Sequence, residues 1–582
     1  MSETENEKYK DLSRENLLKV IEKLEARKKY GLIWDEEKVK EQFEKDAVNA
    51  LPILKEIKGK EIKTSPDEPI NILIEGDNYH ALSVLNFTHQ GKIDVIYIDP
   101  PYNTGNKDFV YNDNYVEEED SFKHSKWLSF MSKRLRLAKT LLKDSGIIFI
   151  SINDIEQAQL KILCDEIFNE NNFLANLIWQ NKEGGGSSDS KYFRIKHEYI
   201  LAYSKNKECC FIKGDEISNL DRYKQKDKYE KVRGPFYLQK LGMGSIQYSN
   251  SLDYEIETPD GGKVKPKDNN SGAKACWRWS RKKLEWGIKN NFIVFKKDKE
   301  NIWQVYTKQY LNCDNEGNKI DRSQRPFGVI DQFSSTQASK EIREMNVLGF
   351  SYPKPKDLIA YLINKYINKS AIVLDFMAGT GTTGHSVLAL NKKDNGNRSF
   401  ILCTNNELNG VGSELAKKYP KKDKEQFGIC KRVCYPRIEK VIKGYKNSKG
   451  EKIEGLGGNL KYFKTGFIKK TVNGDDMKIK LTRECTEMLC IREGIFDEKK
   501  KAEDFAIFEQ NGKIMSVYYS VERKGLKELK KELDKMKGEK VLYCFTLDPL
   551  GLDKSDFTNW KDTQLEPIPQ KILEVYEEIY EY

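Results

Sequence analysis

Four consecutive residues, Asp99-Pro100-Pro101-Tyr102, follow an apolar run, Ile93–Ile98, and set a carboxylate, two locked backbone angles and a flat ring side by side. Proline fixes φ, so the acceptors of such a corner are held in place before a ligand arrives. The Tyr102 ring offers a face for stacking. The same four residues also make an ordinary strand-terminating turn.

A second stretch, VLDFMAGTGTTGHS at 373–386, runs from an apolar strand through Gly379 and Gly381 into Thr382 and Thr383. Glycines there let the backbone turn sharply and let a ligand approach where a Cβ would stand. The spacing is neither the full dinucleotide fingerprint nor the phosphate loop. Downstream, the strand SFILCT leads to Glu407, an acid placed to accept hydrogen bonds from both ribose hydroxyls. Together they predict an adenosine-containing cofactor without a pyrophosphate, a description that S-adenosylmethionine fits.

The elements that must carry these groups alternate. A capped amphipathic helix is predicted over 11–30, with Ser13 as cap and Leu17, Leu18, Ile21 and Leu24 on one face. NILIEGDN (71–78) and Ile93–Ile98 read as buried strands, 126–142 as a helix, GIIFISIND (146–154) as a strand and 155–168 as a helix. Strand and helix alternating over short connections predict a doubly wound, parallel α/β sheet. After the strand HEYILAYSKN (197–206), residues 207–330 lose the alternation and become rich in Tyr, Trp, Lys and Gly, the texture of an inserted domain. A helix at 358–367 and strands at 371–376 and 399–404 restore the α/β pattern, and YKNSKGEKIEGLGGN (445–459) marks a boundary. In the tail, Leu526, Leu529, Leu533 and Met536 share a helix face before Gly538, and the strand 541–545 follows, predicting a small separate α/β domain. The expected division is 1–65, 66–206, 207–340, 341–445 and 460–582.

With 582 residues, 38% of them hydrophobic, the chain has length for several cores. The formal charge of +10 is modest over that length, but it concentrates. KACWRWSRKKLEWGIKNNFIVFKKDK (274–299) holds nine Lys or Arg against two acids, interleaved with Trp277, Trp279 and Trp286. Such a stretch can neutralise phosphates, and Arg can contact guanine bidentately; the tryptophans read equally as a small-domain core. The eleven cysteines lack a CxxC step, which argues against zinc and for reduced thiols in the cytoplasm. The first ten residues lack a secretory apolar core, and no apolar run is long enough to span a membrane.

With both motifs placed, the chain resembles amino-methyltransferases acting on DNA bases: Asp-Pro-Pro-Tyr is similar to their catalytic motif and Met377-Ala-Gly379-Thr-Gly381 to their cofactor turn. The catalytic motif preceding the cofactor turn resembles the circularly permuted β class. KKYGLIWDEEK, IEGDNYHAL, IDPPYNTGN, HEYILAYSKN, SYPKPKDLI, FILCTNNE, CYPRIEKVI and LTRECTEMLCIREGIF resemble the modification subunits of type III restriction–modification systems. The resemblance implies that Asp99 and the Pro101 carbonyl each accept one N–H of an adenine N6 amine, and that Tyr102 stacks on a base flipped from its duplex. Asp rather than Ser at the first position favours adenine N6 over cytosine N4. Met377 stands where the family usually has Phe, a polarizable substitute of similar size.

It further implies a cofactor set of Asp77, Lys354, Met377, Gly379, Gly381, Thr382, Thr383 and Glu407. Phe350, Pro353, Lys354 and Pro355 match the segment lining the cofactor's methionine end. The local reading of Asp77 is a helix cap, and of the prolines the start of a helix. Asn103 is expected to contact either substrate, His197 to border the target-base pocket unless it is structural, and the 184–188 loop to close over substrate or merely connect. Asp375 and His385 are expected to be structural. The insert is expected to be the target-recognition domain, with Arg278, Arg281, Lys282 and Lys283 as double-stranded DNA contacts. A homodimer and a restriction (helicase–nuclease) subunit are the implied partners, with the 526–536 helix and the tail as candidate surfaces, and no metal is implied. An RNA target, cytosine-N4 methylation and a non-catalytic DNA-specificity module are the competing readings.

Overall fold

The computed structural model describes residues 14, 32–34, 50–105, 109–111, 114–117, 119–182, 192–217, 219–243, 247–266, 274–347, 353–408, 410–470, 474–548 and 551–580. The helix expected over 11–30, the 184–188 loop and Phe350 lie outside these, Arg14 excepted. Two compact units result, Lys213–Pro326 and the rest of the chain.

The larger unit is built on ten strands: β1 (Ala50–Glu56), β2 (Ile70–Glu75), β3 (Ile93–Ile98), β4 (Leu142–Ile152), β5 (Phe173–Gln180), β6 (His197–Ser204), β7 (Val329–Ile330), β8 (Ile372–Asp375), β9 (Ser399–Thr404) and β10 (Asn459–Lys469). Their order across the sheet is β1-β10-β2-β9-β8-β3-β4-β6-β5-β7. From β10 to β4 neighbours run parallel, and β1 and β6 pair antiparallel at either side of that block. β3 reads IDVIYI because both its faces are covered. Ile96 and Ile98 join Ile72, Ile74 and Leu374 in one apolar cluster, while Val95 and Tyr97 join Leu73, Val373 and Leu402 in the other. Helices α1 (Asn78–His89), α2 (Lys123–Leu141) and α3 (Gln157–Phe168) cover the first face; α4 (Lys356–Ile363), α5 (Thr382–Asp394) and α6 (Tyr435–Lys443) cover the second. This is the doubly wound α/β sheet that the alternation predicts.

The segment 445–459 does not leave this sheet. It forms a short hairpin, Gly444–Lys446 with Lys452–Glu454, and the chain returns as β10 between β1 and β2. Beyond β10 the tail folds into its own five-stranded sheet. Met488, Leu489, Met515 and Tyr543 of that tail share an apolar cluster with Leu82 and Leu85 of α1, and the Tyr576 hydroxyl donates to the Pro52 carbonyl at 2.6 Å. The tail is therefore docked rather than separate. Leu526, Leu529 and Leu533 are buried against its own Phe505, Ile507, Leu542 and Trp560, so the apolar face of this helix belongs to the tail's core. Among the described residues no helix is long and apolar enough to cross a membrane.

The smaller unit has a three-stranded antiparallel sheet, Ile293–Lys297, Trp303–Tyr310 and Phe236–Lys240, and a helix Arg281–Lys289 capped by Ser280. Trp277 and Trp279 are buried with Phe236, Leu284 and Phe292, so those aromatics are core.

Asp375, at the end of β8, is buried, and its pKa is raised to about 7; burial is the main cause, partly offset by hydrogen bonds from the Thr383 hydroxyl and the Met377 amide. An acid whose folded pKa lies above its unfolded one binds more protons when folded. Its contribution to stability is intact below about pH 4 and falls as pH rises towards 7. Asp375→Asn should flatten that part of the stability–pH curve; denaturant unfolding at pH 5 and 8 checks the slope.

Candidate active site

β8 and β3 are parallel neighbours, with Val373 opposite Val95 and Leu374 opposite Ile96. The chain leaves β8 for α5 on one face and leaves β3 for α2 on the other. Parallel strands whose connections diverge open a crevice at their carboxyl ends, where ligands of α/β sheets bind. The glycine turn and Asp-Pro-Pro-Tyr stand at those two ends.

The turn is tightly built. Gly379 and Gly381 have φ of 47° and 75°, in the left-handed region that glycine tolerates. A Cβ on Gly381 would come within 3.0 Å of Cys434 Sγ. The hydroxyls of Thr382 and Thr383 are turned inward. The Thr383 hydroxyl donates to Asp375 at 2.5 Å, and the Thr382 hydroxyl accepts from Arg437 at 2.6 Å. Arg437 is fully buried, also donates to the Thr380 hydroxyl at 3.1 Å, and pairs with Glu341 at 3.3 Å. His385 lies against this arginine, and burial with the nearby positive charge holds its pKa well below the usual histidine range, consistent with a structural role. Met377 is half-buried beside the turn. What remains for a ligand is backbone, the Met377 side chain and the acids at neighbouring strand ends.

Those acids are Asp77 and Glu407. Asp77 caps α1, accepting from the Tyr79 amide at 2.7 Å, as its local reading anticipates. Glu407 is solvent-accessible; desolvation and the Asp77 charge raise its pKa, against a 3.1 Å hydrogen bond from Asn405.

At the other strand end Asp99, Lys354 and Glu198 form a part-buried cluster of charge. Lys354 Nζ donates to both Asp99 oxygens at 2.9 Å and lies 3.3 Å from Glu198 Oε2. The Tyr102 hydroxyl donates to Glu198 Oε2 at 2.9 Å, and Asn181 donates to Oε1 at 2.8 Å. Lys354 also stands 4.9 Å from the Tyr102 ring centre. Burial raises the Asp99 pKa and Lys354 offsets this only in part. For Glu198 burial acts the same way, but Lys354, Asn181 and Tyr102 outweigh it and the pKa falls. For Lys354 the two carboxylates outweigh desolvation and the pKa rises. The Tyr102 hydroxyl, buried between the two acids, is held well above the usual phenol range.

Several of the expected site residues shift here in space rather than in kind. Lys354 is at the carboxylate corner rather than at the turn, and Pro353 and Pro355 are buried at the start of α4. The Pro101 carbonyl accepts from the Trp127 indole at 2.7 Å, and Trp127 is fully buried in α2, so that carbonyl faces the core rather than the crevice. Asn103 has φ of 57° and turns inward too, donating to Glu156 at 2.5 Å. His197 pairs with Tyr199 at 3.1 Å; side chains alternate along β6, so both lie across the sheet from Glu198. The motifs alone do not reveal Glu198, one residue from the histidine they single out, nor Trp127, Asn181 and Arg437. Strand alternation does not single out Glu198, since Ile200 on its parity and Leu201 on the other are both buried. In the smaller unit Arg281 and Lys282 are exposed, Arg278 is half-buried beside Thr307 at 3.4 Å, and Lys283 lies 3.5 Å from Glu316.

A crevice of this kind is where open α/β sheets bind their ligands. The chain belongs to the DNA methylase family, whose model matches residues 93–421. It is 33% identical over 384 residues to the type III restriction-modification enzyme EcoPI Mod subunit of Escherichia phage P1, covering 58% of each chain. It is 34% identical over 364 residues to the StyLTI Mod subunit of Salmonella typhimurium, covering 57% of this chain and 52% of that one. The type II methyltransferase M.KpnI of Klebsiella pneumoniae is 34% identical over 350 residues, 57% of this chain and 79% of that one. The chain thus spans a little over half the length of the two Mod subunits it matches.

Arg437→Met should leave Glu341 and two threonine hydroxyls short of a donor. Losing one partner of a buried pair costs about 3–5 kcal/mol, so a markedly lower melting temperature is expected, read by calorimetry.

Proposed function

We propose that this protein is a site-specific DNA methyltransferase that transfers a methyl group from S-adenosylmethionine to the N6 amine of adenine, as the modification subunit of a type III restriction–modification system. The observation that carries the reading is the juxtaposition of Asp-Pro-Pro-Tyr and the glycine turn on paired, parallel strand ends. Membership of the DNA methylase family and the likeness to two Mod subunits support it.

The residues at the turn fit the cofactor. Gly379 and Gly381 give the turn its left-handed backbone, Met377 offers an apolar contact, and Glu407 offers a carboxylate to a ribose. Bound there, S-adenosylmethionine supplies a methyl group already activated on a sulfonium, so no metal or covalent intermediate is required. The chain's own task is to aim a poor nucleophile. The lone pair of an adenine amine is delocalised into its ring. Asp99 accepts one N–H and the Pro100 carbonyl the other, the Pro101 carbonyl being turned to Trp127. Both acceptors draw the nitrogen towards tetrahedral geometry and point its lone pair at the crevice. As the N–C bond forms and the S–C bond breaks, the surplus amine proton leaves through Asp99 to solvent. Tyr102, tied to Glu198, presents its ring to the flipped base, a contact worth about 1–3 kcal/mol.

The exposed Lys274, Arg281, Lys282 and Lys289 of the smaller unit supply contacts to double-stranded DNA. A homodimer, a helicase–nuclease partner and a cytoplasmic location complete the proposal.

Asp99→Ala should abolish tritiated methyl transfer to unmethylated DNA while S-adenosylmethionine and DNA still bind; retained transfer refutes the role, and N4-methylcytosine as the sole product by mass analysis refutes the base. Replacing Arg281 and Lys282 by Ala should weaken DNA binding and reduce the slope of log affinity against log salt by about 2; an unchanged slope would remove both from the interface.

A further inference from the structure

Lys354 lies where three demands meet. Asp99 must accept a hydrogen bond from the target amine, which requires it ionised. Its setting works against that: it sits at the end of a fully buried strand, with Tyr97 of β3, Asp375 of β8, Glu198 of β6 and Tyr102 of its own loop around it. Two of those four are further acids, and Lys354, on the segment entering α4, is the positive charge that touches the carboxylate. Its ammonium bridges both oxygens at 2.9 Å, while its 3.3 Å pairing with Glu198 and the Tyr102 ring below it fix its position from the other side. A carboxylate has about four lone-pair sites. A bridging ammonium uses the inner two and leaves an outer one for an amine.

We propose that Lys354 is a positioning residue for methyl transfer: bridging the Asp99 oxygens and anchored by Glu198, it keeps that carboxylate ionised and turned so that one outer lone pair faces the target amine. The proposal rests on the assigned role of Asp99, and it separates Lys354 from the cofactor. A group reserved for the methionine end of S-adenosylmethionine would have its charge directed at the turn, whereas this ammonium is already paired with two half-buried acids. Glu198 is the anchor that prevents the pair from collapsing into a simple ion pair between Lys354 and Asp99.

The experiment compares the full-length wild type with Lys354→Met and Lys354→Arg. Removing an opposite charge in contact shifts a carboxyl pKa by roughly 1–3 units. Lys354→Met should therefore move the acid limb of the transfer rate upward by about that much, with the rate on that limb falling roughly tenfold or more and recovering at higher pH. Lys354→Arg should restore most of the profile. Calorimetric affinity for S-adenosylmethionine should change less than about twofold. Lowered affinity with an unmoved acid limb would make Lys354 a cofactor ligand and overturn the proposal. A loss equal at every pH and not restored by arginine would make it merely structural, which overturns it too. Infrared difference spectra read the charge without activity: a protonated-carboxyl band at neutral pH should appear in Lys354→Met and vanish when Asp99→Asn is added. Its absence refutes the inference even if wild-type protein methylates DNA, whereas a wild type that transfers no methyl group, with the band present, refutes the functional reading alone.

Discussion

A carboxylate at the end of a buried strand faces conflicting requirements. To grip an amine it must be ionised, to be selective it must be dry, and burial opposes ionisation. At Asp99 Lys354 offsets the effect of burial in part, and Lys354 is in turn tolerated inside the protein because Glu198 supplies a second counter-charge. Tyr102 and Asn181 complete the acceptor capacity of Glu198, leaving the cluster nearly saturated with hydrogen bonds. The rest of the larger unit can be understood as what brings these groups together: β3 carries Asp99, β6 carries Glu198, β5 ends near Asn181, and the start of α4 carries Lys354.

The turn on β8 uses the same strategy with different groups. Its glycines bend the backbone, but its shape depends on Asp375 gripping the Thr383 hydroxyl and the Met377 amide, and on Arg437 gripping Thr380 and Thr382. The threonines that follow the glycines therefore shape the backbone from behind. At both strand ends, side chains that look like ligand contacts in the linear motif are the internal braces, and the surfaces left for ligands are backbone atoms and a few acids. Preorganisation of this kind is what a direct transfer needs, since its rate depends on holding two reacting groups in line.

How much of this is legible in the sequence depends on the range of the interaction. The run Ile93–Ile98 and the strand Ser399–Thr404 are visible because central parallel strands are apolar on both faces. The glycine turn and the proline corner are visible because their backbone demands are written in adjacent residues. Glu198, Asn181 and Arg437 are not, because they act on partners distant in the chain: Tyr102 and Glu198 are 96 apart, and Arg437 and Thr380 are 57 apart. Lys354 stands out in its motif, yet its contact with Asp99 does not, since that partner is 255 residues earlier. The boundary at 445–459 misleads for a related reason. Its Gly and Lys content describes the hairpin, while the strand that follows is claimed by β1 and β2 from the far end of the chain.

The permuted order of the motifs gives those long separations a physical sense. In a doubly wound sheet the two halves of the crevice must lie on adjacent strands, but nothing requires those strands to be adjacent in sequence. Asp99 and the glycine turn are joined in space by the pairing of Val95 with Val373, and the stretch between them in the chain accommodates a whole compact unit, Lys213–Pro326, without altering that register. A compact unit can then be placed in the connection at no cost to the register of β3 and β8, provided that β6 and α4 still deliver Glu198 and Lys354 to Asp99. The braces across the strand ends are therefore what ties the two halves of the permuted sheet into one site.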